Sequence, residues 1–457
     1  MKIKKNARHE VEIIDVTAKG FGVGNIDGFT LFIDGGLPED RILAQIVKVK
    51  ARYGYGKIIE IQKPSPYRIE SLCPVSARCG GCQWQHCDYK AQLGFKKRIL
   101  TDALVRIGGI ENPPVEDVTG MDTPLRYRNK AVFPVVPGAG GEGFQIGMYA
   151  PRSHRIVEVS DCIIQDDAHK EVLDILKKHM KRHKLTAYDE TTHKGLVRFV
   201  IVRTSVDTDE VMVVLVINGK VLPGEVEFSK KLEEIGVTTM LINRHESRGN
   251  TVMGEHFRLV YGTGFIHERL GDINYRLSAP SFFQINTTQA NKLYDIAVSL
   301  AALDGTENII DAHTGVGGVA LYAAKHVKNV HGIDVVQAAV SDAEENARLN
   351  GIVNARFTCG TAEAVLPDLL NHGGEKTHAV FLDPPRKGCE PELLKILAES
   401  RVEKIIYISC DPATLARDIK ILCAEGYSLE TARPVDMFPM TGKIETCCLL
   451  KHISVAP

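Results

Sequence analysis

Between residues 8 and 62, apolar and polar positions alternate with the period of two that half-buried strands require: HEVEIIDV, GFTLFID, RILAQIVKVKA and GYGKIIEIQ. KGFGVGNIDG and GGLPED separate them as turn punctuation. Several short strands in so few residues predict a small closed β-barrel of the OB type. KPSPYR (63–68) breaks the alternation and reads as a linker. The period then changes to that of a helix in AQLGFKKRILTDALVRIGGI (91–110), ended by Gly108 and Gly109. From LRYRNKAVFPVV to about residue 275 strands dominate, with one helix near DDAHKEVLDILKKHMKRH. Beyond about residue 280 strands and helices alternate, from ENIIDAHTGVGG and VALYAAKHV to VEKIIYISCDP and ATLARDIKILCAEG. That is the βαβ signature of a doubly wound parallel sheet. The pattern predicts a multidomain chain: an OB-like barrel over 1–64, a central α+β domain over 65–278, and a Rossmann-like α/β domain over 279–457.

Composition narrows the setting. With 44% apolar and 25% charged residues in 457, the chain reads as an ordinary folded protein. It offers no run of ~18 apolar residues and no apolar leader stretch, so a cytoplasmic monomer with no membrane partner is expected. There thiols stay reduced, which argues against disulfides. The net charge of −1 hides an asymmetry: residues 1–130 carry 21 Lys and Arg against 15 Asp and Glu. A cationic front half joined to an OB-type barrel points to a polyanionic partner, nucleic acid.

The candidate chemistry lies in the last third. DAHTGVGG follows the first strand of the parallel sheet, where Gly315, Gly317 and Gly318 let backbone approach a ligand. Asp334 ends the next strand, where an acid can accept ribose hydroxyls. DPPRKG (383–388) adds a fixed acceptor, Asp383, on a rigid proline loop. Without a clean GxGxxG, S-adenosylmethionine fits this crevice better than NAD. YISCDPATLARD places Cys410 between a strand and a helix start, where a thiolate is favoured. FPMTGKIETC supplies Glu445. A thiolate and a carboxylate together suit methylation at C5 of uracil. Addition of sulfur to C6 makes C5 nucleophilic, and a base then removes the C5 proton so that the cysteine can leave.

These residues resemble the RNA uracil-5-methyltransferase family: SFFQIN (281–286), DAHTGVGG, DPPRKG, SCDPATLARD and DMFPMTGKIE occur in that family's order. The N-terminal segment resembles a TRAM domain, the module of the branch that modifies 23S ribosomal RNA. The resemblance implies a class I methyltransferase with Gln284, His313, Gly315, Gly317, Asp334 and Asp383 around S-adenosylmethionine, Cys410 as nucleophile and Glu445 as base. It also implies a [4Fe–4S] cluster on C-x5-C-x2-C plus a distant cysteine, here Cys73, Cys79, Cys82 and Cys162. Read locally, CPVSARCGGCQWQHC (73–87) suggests zinc with Cys87 as fourth ligand instead. The x5 spacing departs from the C-x3-C-x2-C of radical enzymes, so a cluster here is structural.

Four positions depart from the family pattern. His313 and Thr314 replace an aromatic residue and a cysteine, Asp411 replaces asparagine beside the nucleophile, and Lys443 replaces histidine before the base. Asp411 is expected to raise the Cys410 thiol. RYRNK (126–130) is a candidate basic path for RNA. The resemblance implies 23S ribosomal RNA as the target, with transfer RNA as the alternative; the other reading is a non-catalytic RNA-binding protein on the same fold.

Overall fold

The first five strands of the computed structural model are β1 (Arg8–Val16), β2 (Phe21–Ile26), β3 (Phe29–Asp34), β4 (Arg41–Val49) and β5 (Tyr53–Lys63). They close into a barrel in the order β1-β2-β3-β5-β4. Its core is Val11, Ile13, Leu31, Ile33, Ile42, Ala44 and Ile46, at alternate positions along three of the strands. β2 lies inside the segment that the pattern assigned to a turn. The reason is space: a Cβ at Gly22 would stand 2.7 Å from the Gly36 carbonyl oxygen, and one at Gly24 2.3 Å from Val11. These glycines face the narrow barrel interior and leave β2 without an apolar inward row. KPSPYR is likewise no free linker. Buried Asp40 accepts from the Ser65 amide (2.8 Å) and from Arg68 Nε (2.7 Å) and Nη2 (2.6 Å).

The structure describes residues 3–159, 161–249, 251–372 and 376–453. Two units divide the chain, Met1–Pro124 with Pro384–Pro457, and Leu125–Asp383. In the first unit, α1 (Tyr89–Arg106) begins at Asp88, whose side chain caps the Ala91 amide. Its buried face contains Phe95, Leu100 and Leu104 but also Gln92 and Lys96.

The second unit contains a seven-stranded sheet of β6 (Lys130–Pro137), β7 (Phe144–Tyr149), β8 (Ile156–Glu158), β9 (Val197–Thr204), β10 (Val211–Ile217), β11 (Thr239–Arg244) and β12 (His256–Tyr261). Its order is β12-β11-β10-β9-β6-β7-β8. α2 (Ala168–Arg182) and α3 (Glu225–Glu234) supply Val172, Leu176, Met180, Phe228 and Leu232 to its core. A hairpin of β13 (Phe265–Leu270) and β14 (Ile273–Ser278) follows, then α4 (Thr287–Ala301).

Four parallel strands complete this unit: β15 (Asn308–Asp311), β16 (Asn329–Asp334), β17 (Ala355–Cys359) and β18 (Thr377–Leu382), in the order β17-β16-β15-β18. α5 (Gly318–Ala323), α6 (Gln337–Leu349) and α7 (Ala362–His372) connect them. The chain winds outward from β15 to β17 and returns to β18 on the other side. A topological switch point therefore lies between β15 and β18, where such sheets bind ligands.

In the first unit α8 (Pro391–Ser400), β19 (Lys404–Ser409), α9 (Pro412–Ala424), β20 (Tyr427–Val435) and β21 (Glu445–His452) end the chain. β21 lies antiparallel between β19 and β20. Among the described residues no helix is long and apolar enough to cross a membrane.

Candidate active site

In the second unit five of the residues singled out by sequence, His313, Gly315, Gly317, Asp334 and Asp383, follow or end the parallel strands around the switch point. Asp311 ends β15 and the glycine turn follows it, while Asp383 follows β18. Gly315 and Gly317 have φ of +55° and +87°, values that side chains rarely adopt. A Cβ at Gly315 would meet nothing within 4 Å, so the turn leaves open space above its backbone. The Gly315 amide donates to Asp334 Oδ2 (3.0 Å) and the Val336 amide to Oδ1 (2.8 Å). A carboxylate has about four lone-pair sites, so one on each oxygen of Asp334 is left for a ribose diol. Asp311 is used internally, accepting from the Ala320 amide (3.0 Å) and the His313 amide (3.4 Å). Burial raises the carboxyls of both Asp311 and Asp383; the charge of Asp334 raises Asp311 further, and that of Asp311 raises Asp383. Burial pushes His313 down to about 4, which leaves a neutral imidazole whose buried Nδ1 has no protein partner. An open glycine turn, a ribose acceptor and a vacant ring nitrogen together fit an adenosine-containing cofactor.

Gln284 is buried on the loop between β14 and α4, and its carbonyl accepts from Asn129 Nδ2 (2.9 Å). Asn129 belongs to RYRNK, whose role in the structure differs from a basic rim. Arg126 pairs with Asp161 (2.7 Å) and Asp167 (3.2 Å), and Tyr127 and Asn129 are buried. Burial and neighbouring Arg203 push Lys130 down to about 7. The strand-like run is a tie. Arg126 also donates to the Cys162 carbonyl (2.9 Å), and the Asn129 amide donates to the Ile285 carbonyl (3.0 Å). It thereby fixes the loop of Cys162 on one side and that of Gln284 on the other.

In the first unit β19 and β21 pair with Ser409 opposite Thr446. Cys410 follows β19 directly, and Glu445 is the first residue of β21, so the two flank this last registered pair. Glu445 is buried and Cys410 partly so. Asp411 is the N-cap of α9: its Oδ1 accepts from the Ala413 amide (2.9 Å) and the Thr414 amide (3.2 Å). Asn and Asp cap equally well, which explains how an aspartate fits here. Lys443 lies 5.7 Å from the Phe438 ring centre.

The proline loop is held from α9 by residues that sequence reasoning missed. Asp418, fully buried, accepts from the Cys389 amide (2.9 Å) and the Tyr407 hydroxyl (2.6 Å). Arg417 donates to the Lys387 carbonyl (2.9 Å). An acid within the apolar stripe Leu415, Ile419 and Leu422 was the available signal.

The cysteine segment also belongs to the first unit. Cys79 Sγ accepts from the Gly81 amide (3.4 Å) and Cys82 Sγ from Gln85 Nε2 (3.5 Å), the kind of N–H···S donors that surround thiolate clusters. Burial and the charge of Cys73 raise the Cys79 thiol. Cys87 faces the other way, packed among Val16, Leu37, Trp84 and Phe95, and burial pushes its thiol up to about 12. It is a core residue, which removes the local reason for choosing it as fourth ligand. Among the described residues no three His, Cys, Asp or Glu side chains converge on one point as a metal site.

Three comparisons place these features. The family described as tRNA (Uracil-5-)-methyltransferase matches residues 89–453, and the TRAM domain matches residues 4–59. An "uncharacterized RNA methyltransferase" of Halalkalibacterium halodurans is 40% identical over 98% of both chains. Another of Clostridium tetani is 40% identical over 98% of this chain and 97% of its own. The crystal structure of Pyrococcus abyssi tRNA (uracil-54, C5)-methyltransferase with S-adenosyl-L-homocysteine is 27% identical, with a TM-score of 0.77 over 97% of this chain and 100% of that one. Matched along nearly its whole length in sequence and in fold, the chain belongs to the tRNA (uracil-5-)-methyltransferase family and is an RNA methyltransferase with an N-terminal TRAM domain.

Proposed function

We propose that the chain methylates C5 of a uridine in RNA through a covalent Cys410 adduct, with Glu445 as the base. The pairing of Ser409 with Thr446, which Cys410 and Glu445 flank in the chain, carries this reading. The Cys410 thiolate adds to C6 of the uracil, which places electron density on C5. Gly315, Gly317, Asp334 and Asp383 would hold S-adenosylmethionine, with His313 and Gln284 beside it; it would supply the methyl group to C5 from its sulfonium, the S–CH3 electron pair staying on sulfur as S-adenosylhomocysteine leaves. Glu445 then takes the C5 proton. The C–H electron pair forms C5=C6, and the C6–S pair returns to Cys410. The uridine must be unstacked to meet the thiolate.

RNA is held in part by the TRAM barrel. Phe21, Phe32, Tyr53 and Tyr55 face outward on β2, β3 and β5, with neighbouring ring centres 5.6–5.8 Å apart. Unpaired bases stack on such a surface. We assign 23S ribosomal RNA as the substrate and transfer RNA as the alternative. The archaeal neighbour, whose substrate is a tRNA, aligns over 97% of this chain and so covers the barrel as well. The barrel therefore does not separate the two RNAs. The N–H···S donors on Cys79 and Cys82 support a [4Fe–4S] cluster on Cys73, Cys79, Cys82 and Cys162; with four protein ligands it has no open iron and acts as a structural group.

The test is Cys410→Ala with bulk RNA from a strain lacking the gene. RNA binding should survive, while methyl transfer from labelled S-adenosylmethionine and the denaturation-resistant protein–RNA complex should both vanish. Retained methylation refutes the mechanism. Mapping 5-methyluridine in both RNAs of the same strain identifies the substrate, and no change in either refutes the activity.

A further inference from the structure

Between the paired residues Val435 and Glu445 the chain runs through a loop, 436–444, that begins with DMFPM and delivers Glu445 to the end of β21. Its polar groups are committed to α1 and to the segment just after Cys82. Lys96 Nζ, fully buried, donates to Asp436 Oδ1 (2.5 Å) and to the Phe438 carbonyl (3.1 Å). The Tyr89 hydroxyl donates to Asp436 Oδ2 (2.9 Å). Gln92 Oε1 accepts from the Met440 amide (3.0 Å), while the Gln83 and Trp84 amides both donate to the Met440 carbonyl (3.0 Å). Met440 is held at φ +66°, a left-handed value that a methionine keeps only where its surroundings impose it. An amphipathic helix gains nothing for its own stability from a buried lysine and a buried glutamine. A loop held to a fraction of an ångström has use for both.

We propose that Lys96 and Gln92, with Tyr89 behind them, are positioning residues for the Glu445 carboxylate. They hold the loop so that the base stands opposite Cys410 when the C5 proton leaves. This rests on the reading of Glu445 as base. In that step the proton passes to Glu445, the C5–H pair becomes the C5=C6 bond, and the C6–S bond breaks with its electrons on sulfur. A displaced base slows this step alone, so methylated RNA stays bound to the protein.

The experiment compares wild type, Lys96→Met, Gln92→Leu, Tyr89→Phe and Glu445→Gln on transcripts of 23S ribosomal and transfer RNA, made with uridine or with 5-fluorouridine. Fluorinated uracil has no C5 proton to give up, so its adduct forms whatever the base does. On uridine RNA, Lys96→Met should lower turnover about 10²-fold, and Gln92→Leu and Tyr89→Phe about 10-fold, each with accumulation of a denaturation-resistant methylated complex. On fluorinated RNA their rates of adduct formation should stay within about threefold of wild type. Equal losses on both RNAs, or normal turnover, overturn the positioning role. Should Lys96→Met fail to fold, Gln92→Leu and Tyr89→Phe leave no unpaired charge and decide the matter. If Glu445→Gln itself accumulates no complex, the base assignment falls and the positioning role with it; if it does and the others do not, only the positioning role falls.

Discussion

Asp411→Asn separates two effects that one aspartate exerts on Cys410. Only Oδ1 of Asp411 caps α9, accepting from Ala413 and Thr414. An asparagine oxygen can repeat both bonds, so the cap survives the substitution. What is lost is a negative charge at a helix N-terminus, about 0.5 kcal/mol of favourable dipole interaction. For a folding unit of roughly 200 residues, such as the one that holds α9, that lowers the melting temperature by roughly 1–2 °C. The same charge opposes formation of the neighbouring thiolate. Two unit charges a few ångströms apart repel by about 1 kcal/mol in bulk water. Removing it should move the midpoint of the Cys410 alkylation-rate profile down by roughly 0.5–1 pH unit. The assay is iodoacetamide labelling across pH 6–10, read at the Cys410 peptide by mass spectrometry, with thermal unfolding in parallel. An unchanged midpoint would show that the carboxylate does not reach the thiolate. A fall of more than about 5 °C would show that Oδ1 capping is not what Asp411 provides.

Other outcomes follow from the same geometry. Cys79→Ser should abolish bound iron and sulfide in anaerobically purified protein, while Cys87→Val should keep both, because Cys87 packs among Trp84 and Phe95; iron counted per chain decides it. Gly317→Val should weaken S-adenosylmethionine binding at least 10-fold by calorimetry. Its Cβ would stand 2.7 Å from Leu321, at a φ costing about 1–2 kcal/mol for a side chain; unchanged affinity would detach the turn from the cofactor. Lys130 is pushed down to about 7 on folding, so the unfolded chain binds the extra proton between that value and the ordinary lysine range. Relative to Lys130→Met, wild-type stability in urea should therefore rise as pH goes from 7 to 10, and parallel curves would refute the shift.

What sequence could reveal was whatever repeats or carries a distinctive residue type. The barrel strands with an apolar inward row were legible, and β2 was not, because glycines replaced that row where the barrel is narrowest. The turn 313–318, Asp334 and Asp383 were legible from their places after parallel strands. Their organisation was not: the Gly315 amide on Asp334 and the charge of Asp311 acting on Asp383 depend on strand order, which a sequence does not print. RYRNK misled for a related reason. Its charges look like a solvated basic run until Asp161 and Asp167 are seen to take Arg126, and until Lys130 is seen to be half-buried beside Arg203.

Long-range polar pairs were the least legible of all. Lys96 and Asp436 lie 340 residues apart, and each alone resembles a surface residue. In α1 the helical period assigns Lys96 to a face shared with Phe95 and Leu100, a conflict that amphipathicity scoring resolves by ignoring the charge. Such conflicts between pattern and chemistry concentrate where a fold gives up stability for geometry. Burying an ammonium beside a carboxylate is seldom better than packing two apolar side chains of equal volume, and removing one partner costs about 3–5 kcal/mol. A pair that is neutral as stabiliser and costly when broken suits a loop that must not shift. The hydrogen bonds from Gln83 and Trp84 to Met440 extend the same logic to the cysteine segment, since they begin one residue after Cys82. Whatever orders the cysteine segment therefore also orders the path of the chain into Glu445.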